Sequence, residues 1–234
     1  MPLTIKAKHI RQDIIRIISK RGGHAASNLS AADIFTTLYF TTLKFHPQKT
    51  PQERIIVSQQ LQPAWHAAMA HSGYFSKKEL LTNKELPSGA PKGHALGIAI
   101  GRALASNQHT YCIVSDSEVQ DGRFWEEAII AGKKKLGNLA LIMDRNNLDA
   151  NGFMEIEPVR AKFEAFNWQV IEVDGHNIPH IIEALHESKN ALKPTAILAH
   201  TIPGKGISFI ENNPEWHEKT PTKEEEQKAI TELK

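Results

Sequence analysis

Two apolar runs joined by one amphipathic segment constrain the fold of this chain more than any other feature. Residues 110–114 and 139–143 are continuous apolar stretches without polar alternation, which is the pattern of strands covered on both faces. Between them, Trp125, Ala128 and Gly132 recur at helical spacing. The pattern predicts a β-α-β unit whose strands are parallel and have their carboxyl ends at the same edge of one sheet.

An oxygen-bearing side chain follows each of these runs. Asp116 comes shortly after the first run, and Asn146 comes shortly after the second, thirty positions further on. Ligands of α/β proteins bind at the carboxyl edge of the sheet, and carboxylate and amide oxygens suit Mg²⁺ or Ca²⁺. We therefore expect Asp116 and Asn146 to hold a metal ion and a diphosphate. The simpler interpretation is that Asp116 caps a helix and Asn146 makes a turn.

The remainder of the chain alternates between strand and helix patterns in the same way. Further strands are predicted at residues 54–57, 168–173 and 195–199. Helices are predicted over residues 63–70, 93–105 and 178–188. An amphipathic N-terminal helix is predicted to end near Gly22, a second helix to begin at a Ser30 N-cap, and a C-terminal helix to begin at a capping box at Thr222. These elements predict a doubly wound, mainly parallel α/β sheet with helices on both faces.

Composition narrows the class of protein further. The chain has 234 residues and is 41% hydrophobic, which is enough for one globular domain over residues 1–234. Lys and Arg number 28 against 26 Asp and Glu, so neither nucleic acid nor a membrane surface is an expected partner. The single cysteine, Cys112, cannot form an internal disulfide, and the N-terminus has no uninterrupted apolar core of the signal type. We expect a cytoplasmic location.

The residues around Asp116 and Asn146 resemble the thiamine diphosphate signature of the transketolase family. That signature is usually Gly-Asp-Gly, then Glu-Gly and Trp-Glu, and further along Asn. The matching residues here are Ser115-Asp116-Ser117, Asp121-Gly122, Trp125-Glu126 and Asn146-Asn147. The resemblance implies that Asp116 and Asn146 bind Mg²⁺ through their side chains and Leu148 through its backbone carbonyl, with Ca²⁺ as the alternative ion. It also places these residues around the cofactor: Ser58, Gly93, His94, Ser115, Ser117, Glu118 and Lys205.

Segments outside this signature resemble the same family. They are Arg21-Gly22-Gly23-His24, Val173-Asp174-Gly175-His176-Asn177 and the string from Pro203 to His217. The last string is particularly similar to split transketolases, whose two halves are separate polypeptides. By this resemblance, His24 and His217 contact the substrate hydroxyls and assist proton transfer.

The resemblance also implies a partner chain. Transketolases carry a diphosphate-binding, a pyrimidine-binding and a C-terminal domain, and this chain matches the first. A C-terminal subunit would then supply the pyrimidine-binding domain and its glutamate, in an α2β2 heterotetramer that acts on sugar-type substrates. The expected activity is transfer of a two-carbon ketol or acyl unit. The alternatives are a noncatalytic scaffold subunit of the same complex, or the cofactor-binding subunit of a 2-oxoacid dehydrogenase or decarboxylase.

Four departures from the family pattern fall at the expected site. Serines replace both glycines that flank the metal aspartate, and Asp121 replaces a glutamate. The family's Lys-Gly-His-Ala aligns with Gln59-Gln60-Leu61-Gln62, so Leu61 occupies the position of a family histidine. His66 is five residues later, which makes it a poor substitute on a helix.

The fourth departure is a shortened loop over residues 86–95, which removes a further histidine unless His94 takes over its role. These changes predict a specialised enzyme for a modified or unphosphorylated sugar, or for an acyl donor.

Overall fold

A five-stranded parallel sheet forms the centre of the computed structural model, which describes residues 1–43, 54–82, 86–149 and 152–234. The strands are β1 (Arg54–Val57), β2 (Thr110–Ser115), β3 (Leu139–Arg145), β4 (Leu148–Asp149), β5 (Gly152–Phe153), β6 (Gln169–Asp174) and β7 (Thr195–His200). Their order in the large sheet is β1-β2-β3-β7-β6, and every neighbouring pair in it is parallel. The short strands β4 and β5 form a separate antiparallel pair.

Helices cover both faces of this sheet. They are α1 (Leu3–Arg21), α2 (Ala25–Ser30), α3 (Ala32–Thr37), α4 (Gln62–His71), α5 (Lys77–Thr82), α6 (Ala95–Leu104), α7 (Gly122–Lys134), α8 (Val159–Ala165), α9 (Ile178–Ser188) and α10 (Lys223–Glu232). Within the described ranges, none of them is long and apolar enough to cross a bilayer.

Alternate residues of β2 belong to two separate hydrophobic clusters, which explains why the strand is apolar throughout. Tyr111 and Ile113 pack into the cluster that includes α1, α3 and α4, whereas Cys112 and Val114 pack into the cluster that includes α6 and α7. Both side-chain directions of the strand are therefore buried. The predicted doubly wound α/β sheet is confirmed.

Most predicted elements are confirmed to within a few residues, including the capping box at Thr222. The predicted N-cap role of Ser30 is wrong. Ser30 is the last residue of α2, and α3 begins without a side-chain cap. The Ser30 hydroxyl instead lies 2.7 Å from the Asp144 carboxylate, to which it donates a hydrogen bond. A buried carboxylate needs hydrogen-bond donors, and the Ser30 hydroxyl serves Asp144 and does not cap α3.

The register of β2 and β3 brings the two expected ligand positions together. Ser115, the last residue of β2, pairs with Asp144 near the end of β3. Asp116 and Asn146 follow directly at the carboxyl edge of the sheet. The β-α-β unit predicted from the sequence therefore does bring these side chains to one edge.

Candidate metal and cofactor site

Asp116 and Asn146 meet at the ends of β2 and β3. Asp116 opens a short 3-10 turn over Asp116–Gln120, and its Oδ2 accepts a hydrogen bond from the backbone N of Asn147 at 2.5 Å. Asn147 has a positive φ of 57°, which turns the chain at the end of β3. The turn and the strand end are thus joined directly at the position where the sequence predicts a metal site.

Contacts on both ends of its carboxamide fix the orientation of Asn146. The Nδ2 group donates to Asp144 Oδ2 at 2.8 Å and to Ser30 Oγ at 3.3 Å. The Oδ1 atom accepts from the backbone N of Leu148 at 2.9 Å. Because Asp144 can only accept while it is ionised, the amide nitrogen must face it. The amide oxygen is then presented on the side away from Asp144, next to the backbone of Leu148.

Asp116 and Asp144 are two buried carboxyl groups that lie close together without an ion-pair partner among the described residues. Asp116 and Asp144 are both fully buried. Burial and the neighbouring Asp144 raise the pKa of Asp116 to about 8, and burial likewise raises the pKa of Asp144. No basic side chain of the described residues forms an ion pair with either group.

A divalent cation fits this arrangement. A bound cation would compensate the buried negative charge of Asp116, and the Asn146 amide oxygen is a second hard donor beside it. Asp144 is already satisfied by hydrogen bonds from Ser30 (2.7 Å), Thr201 (2.6 Å) and Asn146 (2.8 Å). Asp144 therefore orients Asn146, while Asp116 is left as the carboxylate with the greatest need of a cation.

The two serines that flank Asp116 adopt ordinary backbone conformations. Ser115 is extended, with φ −79° and ψ 151°, and Ser117 is not among the residues of positive φ. A glycine is therefore not required at either position for conformational reasons. The Ser117 hydroxyl donates to Gln60 Oε1 at 2.9 Å and lies 3.4 Å from Ser115 Oγ.

Glu118 joins three segments at the same edge of the sheet. Its Oε1 accepts from Ser58 Oγ at 2.7 Å, and its Oε2 accepts from the backbone N of Gly93 at 2.6 Å. Gly93 has a φ of +75°, a backbone conformation that favours glycine, and a Cβ there would have to displace the Asp121 carboxylate. Glu118 therefore contacts two other predicted cofactor residues, Ser58 and Gly93.

The rings of His24 and His217 lie next to each other with their planes tilted by 51°, and His24 lines a cleft. Their ring centroids are 4.9 Å apart, and His24 Nδ1 donates to the backbone carbonyl of His217 at 3.3 Å. Glu218 is close to both rings, so that ligand atoms of the three side chains lie within 4.8 Å of one another. Imidazole donors suit transition metals better than Mg²⁺, so this group differs in chemistry from the Asp116 site.

The cleft has a volume of about 470 Å³ and a polar, basic lining. Among the described residues, the polar side chains that line it are Arg21, His24, Gln59, Gln60, Gln62, His66 and Lys92. His66 thus shares the cleft with His24, although its Nε2 donates to the Pro87 carbonyl at 2.7 Å. Burial, opposed by that bond and reinforced by Arg21, lowers the pKa of His66. Leu61, by contrast, is fully buried in the core.

Two predicted cofactor residues, His94 and Lys205, lie apart from the contacts around Asp116, and so does Asp121, which replaces the family's glutamate. His94 is exposed at the start of α6, and its Nε2 lies 2.8 Å from Arg123 Nη1. Lys205 Nζ lies 3.7 Å from Glu211. Asp121 caps α7 by accepting from the backbone N of Arg123 at 3.0 Å. Within the described part of the chain, no hydrogen bond or ion pair links His94 or Lys205 to Asp116, and their roles stay predictions.

Sequence reasoning did not single out Asp144, Ser30, Thr201 or Gln60 as site residues. Asp144 ends an apolar strand immediately before the expected ligand, which is a signal that could have been used. Ser30 and Thr201 reach Asp144 across 114 and 57 positions of the sequence, and no local pattern marks such contacts. Gln60 precedes Leu61, which replaces a family histidine, and nothing in the sequence marks Gln60 itself as a functional residue.

Comparisons with known proteins agree with the chemistry of this site. Residues 100–233 match the family described as "Transketolase, thiamine diphosphate binding domain". The chain is 34% identical to one subunit of the apulose-4-phosphate transketolase of Actinobacillus succinogenes, over 98% of this chain and 95% of that protein. It is 33% identical to a 6-deoxy-6-sulfo-D-fructose transketolase subunit of Clostridium sp., over 97% of this chain and 94% of that protein.

Solved structures give the same fold. The transketolase of Campylobacter jejuni superposes with a TM-score of 0.85 at 25% identity. The match covers 99% of this chain and 42% of that protein, so the chain spans less than half of a transketolase of that length.

Proposed function

The chain belongs to the transketolase family, and we propose that it is the thiamine diphosphate-binding subunit of a two-chain transferase. The enzyme would move a two-carbon ketol or acyl unit between sugar-type substrates. The observation that carries this proposal is the buried Asp116 carboxylate, which lies without a cationic partner among the described residues beside the fixed amide of Asn146. Such a site suits a divalent cation that binds a diphosphate.

The metal would be held by Asp116 and Asn146 through their side chains and by the carbonyl of Leu148. Mg²⁺ is the proposed ion, since it is commonly shared between carboxylates and phosphates. Ser58, Gly93, His94, Ser115, Ser117, Glu118 and Lys205 are the proposed surroundings of the cofactor. When bound, thiamine diphosphate supplies the nucleophilic carbon and the electron sink of the reaction.

His24 and His217 would orient the substrate and move protons. The carbonyl of His217 accepts from His24 Nδ1, which fixes the proton of a neutral His24 ring on that nitrogen. Its Nε2 is then the atom that can accept a proton or a hydrogen bond from a substrate hydroxyl. The close ring of His217, itself buried, limits the positions that His24 can adopt.

The substrate would carry a charged end group. Arg21 and Lys92 line the cleft beside His24, and no carboxylate is among the described residues that line it. The two relatives above are named for a phosphate ester and for a sulfo sugar, both of which are anionic. We therefore include phosphorylated and sulfonated ketoses among the substrates to be tested.

A second chain would complete the active site. The chain spans 95% of the apulose-4-phosphate transketolase subunit but 42% of a transketolase chain. Isoleucines 98, 129 and 130, on the contacting helices α6 and α7, are exposed, as expected of a surface covered on assembly. We propose that the partner supplies the pyrimidine-binding domain with its glutamate, in an α2β2 heterotetramer.

Calorimetric titration of the two-chain complex with thiamine diphosphate and Mg²⁺ tests this function. We expect the wild-type complex to bind, and we expect Asp116→Ala to weaken binding on the order of 100-fold because a metal ligand is lost. The matched control is Asp174→Ala, which removes an exposed carboxylate from the end of β6 at the same edge of the sheet. No binding by the wild type, or equal binding by Asp116→Ala, would leave the noncatalytic scaffold as the better description.

A further inference from the structure

Two departures from the family pattern that are distant in sequence are in contact in the structure. Ser117 stands where the family has the second glycine of Gly-Asp-Gly, and Gln60 stands where it has the glycine of Lys-Gly-His-Ala. The Ser117 hydroxyl donates to Gln60 Oε1 at 2.9 Å. Glycine at either position would lack the hydroxyl or the carboxamide. This hydrogen bond therefore requires both substituted residues together.

The backbone of Gln60 is held firmly. Its carbonyl accepts from the Nδ2 of the buried Asn28 at 2.9 Å, and Asn28 Oδ1 accepts from the backbone N of Ala64 at 2.9 Å. Asn28 Nδ2 also donates to the carbonyl of His24 at 2.8 Å. One buried side chain therefore fixes Gln60 relative to His24 and to the start of α4.

The amide nitrogen of Gln60 is the available end of the side chain. Its Oε1 is engaged by Ser117, and Nε2 makes no hydrogen bond to any residue in the described ranges. Gln60 lines the cleft together with His24 and His66. A carboxamide held by its oxygen presents its two N–H donors on the opposite side.

We propose that Gln60 binds the ketose substrate through Nε2 and supplies the polar group that Leu61 cannot, with Ser117 as its positioning residue. Nε2–H would donate to a hydroxyl or carbonyl oxygen of the ketose. Without the Ser117 hydroxyl, the carboxamide could rotate and present its oxygen instead, which would reverse the hydrogen-bonding preference. This inference rests on the proposed function, since it assigns the substrate contact of that same cleft.

Binding measurements on the cofactor-loaded two-chain complex test this role. The probes are fructose 6-phosphate, unphosphorylated fructose and 6-deoxy-6-sulfo-D-fructose. Gln60→Ala should raise the Kd or KM for the ketose about tenfold, the effect of one hydrogen bond, while cofactor affinity stays within about twofold. Ser117→Gly should also raise the Kd or KM for the ketose, but by less. Ser117→Thr, which keeps the hydroxyl, should give the wild-type value. The double variant Gln60→Ala/Ser117→Gly should be no worse than Gln60→Ala alone.

Gln227→Ala is the matched control, because Gln227 is an exposed glutamine of α10 that does not line this cleft. An equal loss in Gln227→Ala, or weaker cofactor binding with unchanged ketose affinity in Gln60→Ala, would overturn the assignment. NMR spectra of the side-chain amides add a readout that does not need turnover. The Gln60 amide should shift on addition of a ketose, and a spectrum unchanged by every probe would also overturn the assignment. Failure of the wild type to bind cofactor would instead reject the proposed function.

Discussion

Two groups of buried aspartates in this protein have opposite electrostatic surroundings. Asp13 in α1 contacts Arg16 at 2.6 Å and His71 at 2.8 Å, and Asp33 in α3 contacts Arg11 of α1 at 2.5 Å. Burial raises the pKa of Asp13, but these bonds and Lys77 outweigh it and bring the pKa to about 2. At the carboxyl edge of the sheet, the pKa of Asp116 is raised to about 8.

This difference in neighbouring charge distinguishes aspartates that stabilise the fold from an aspartate that can bind a ligand. Asp13 and Asp33 tie helices and loops together, and their charge is already compensated within the chain. Asp116 has backbone donors and a like charge nearby, and the described residues supply it with no cation. A buried carboxylate that the fold does not compensate indicates a functional site, because burial alone would select against it.

The largest expected effect comes from breaking a compensated pair. Arg11→Met should lower the free energy of unfolding by about 3 to 5 kcal/mol, because Asp33 would be left as a buried charge with a weaker set of partners. Urea denaturation at neutral pH measures the change. Arg102→Met, at an exposed position of α6, is the control and should cost less than about 1 kcal/mol. If Arg11→Met also cost less than about 1 kcal/mol, the Arg11–Asp33 pair would not stabilise the packing of α1 against α3.

A smaller, pH-dependent effect is expected at Asp13. Its pKa lies at about 2 in the folded chain against an ordinary 3.8, so its contribution is present above pH 3.8 and is lost as the pH falls towards 2. Asp13→Asn should lower the free energy of unfolding by about 2 kcal/mol at pH 7. The difference between variant and wild type should shrink between pH 4 and pH 2 in urea titrations. Glu183→Gln, on the exposed face of α9, should show neither effect. A deficit that persists at pH 2 would contradict the electrostatic explanation.

The smallest expected effect has the opposite sign. Asp116→Asn should raise the free energy of unfolding of the cofactor-free chain by about 1 to 2 kcal/mol, because it removes a buried, uncompensated carboxylate while keeping an acceptor for the Asn147 backbone N. Thermal and urea unfolding without Mg²⁺ or cofactor measure it. A loss of stability similar to that of Asp13→Asn would remove the contrast between the two groups.

The sequence predicted the parts of the fold that depend on local pattern. The continuous apolar runs of β2 and β3 identified the central strands, and the capping box at Thr222 located α10. Parallel strands then brought Asp116 and Asn146 to one edge, because that follows from the β-α-β connection alone. The family resemblance, carried by residues on many segments, is likewise confirmed.

Contacts between distant segments could not be predicted in this way. Ser30 has every local feature of an N-cap, yet it donates to Asp144, which is 114 positions away. Gln60 and Ser117 were two separate anomalies in the sequence, and only the fold joins them. Side-chain hydrogen bonds of this kind depend on the packing of α2, α4 and the strand ends together, which no periodicity encodes.

The hydrogen bond between Ser117 and Gln60 also bears on how such a site can evolve. A serine at position 117 beside a glycine at position 60 has no such partner, and a glutamine at position 60 beside a glycine at position 117 has no such hydroxyl to orient it. If Gln60 binds substrate as proposed, the effects of the two residues depend on each other, and we expect epistasis between positions 57 residues apart. Lineages that carry one of the two residues should carry the other more often than independent drift would produce.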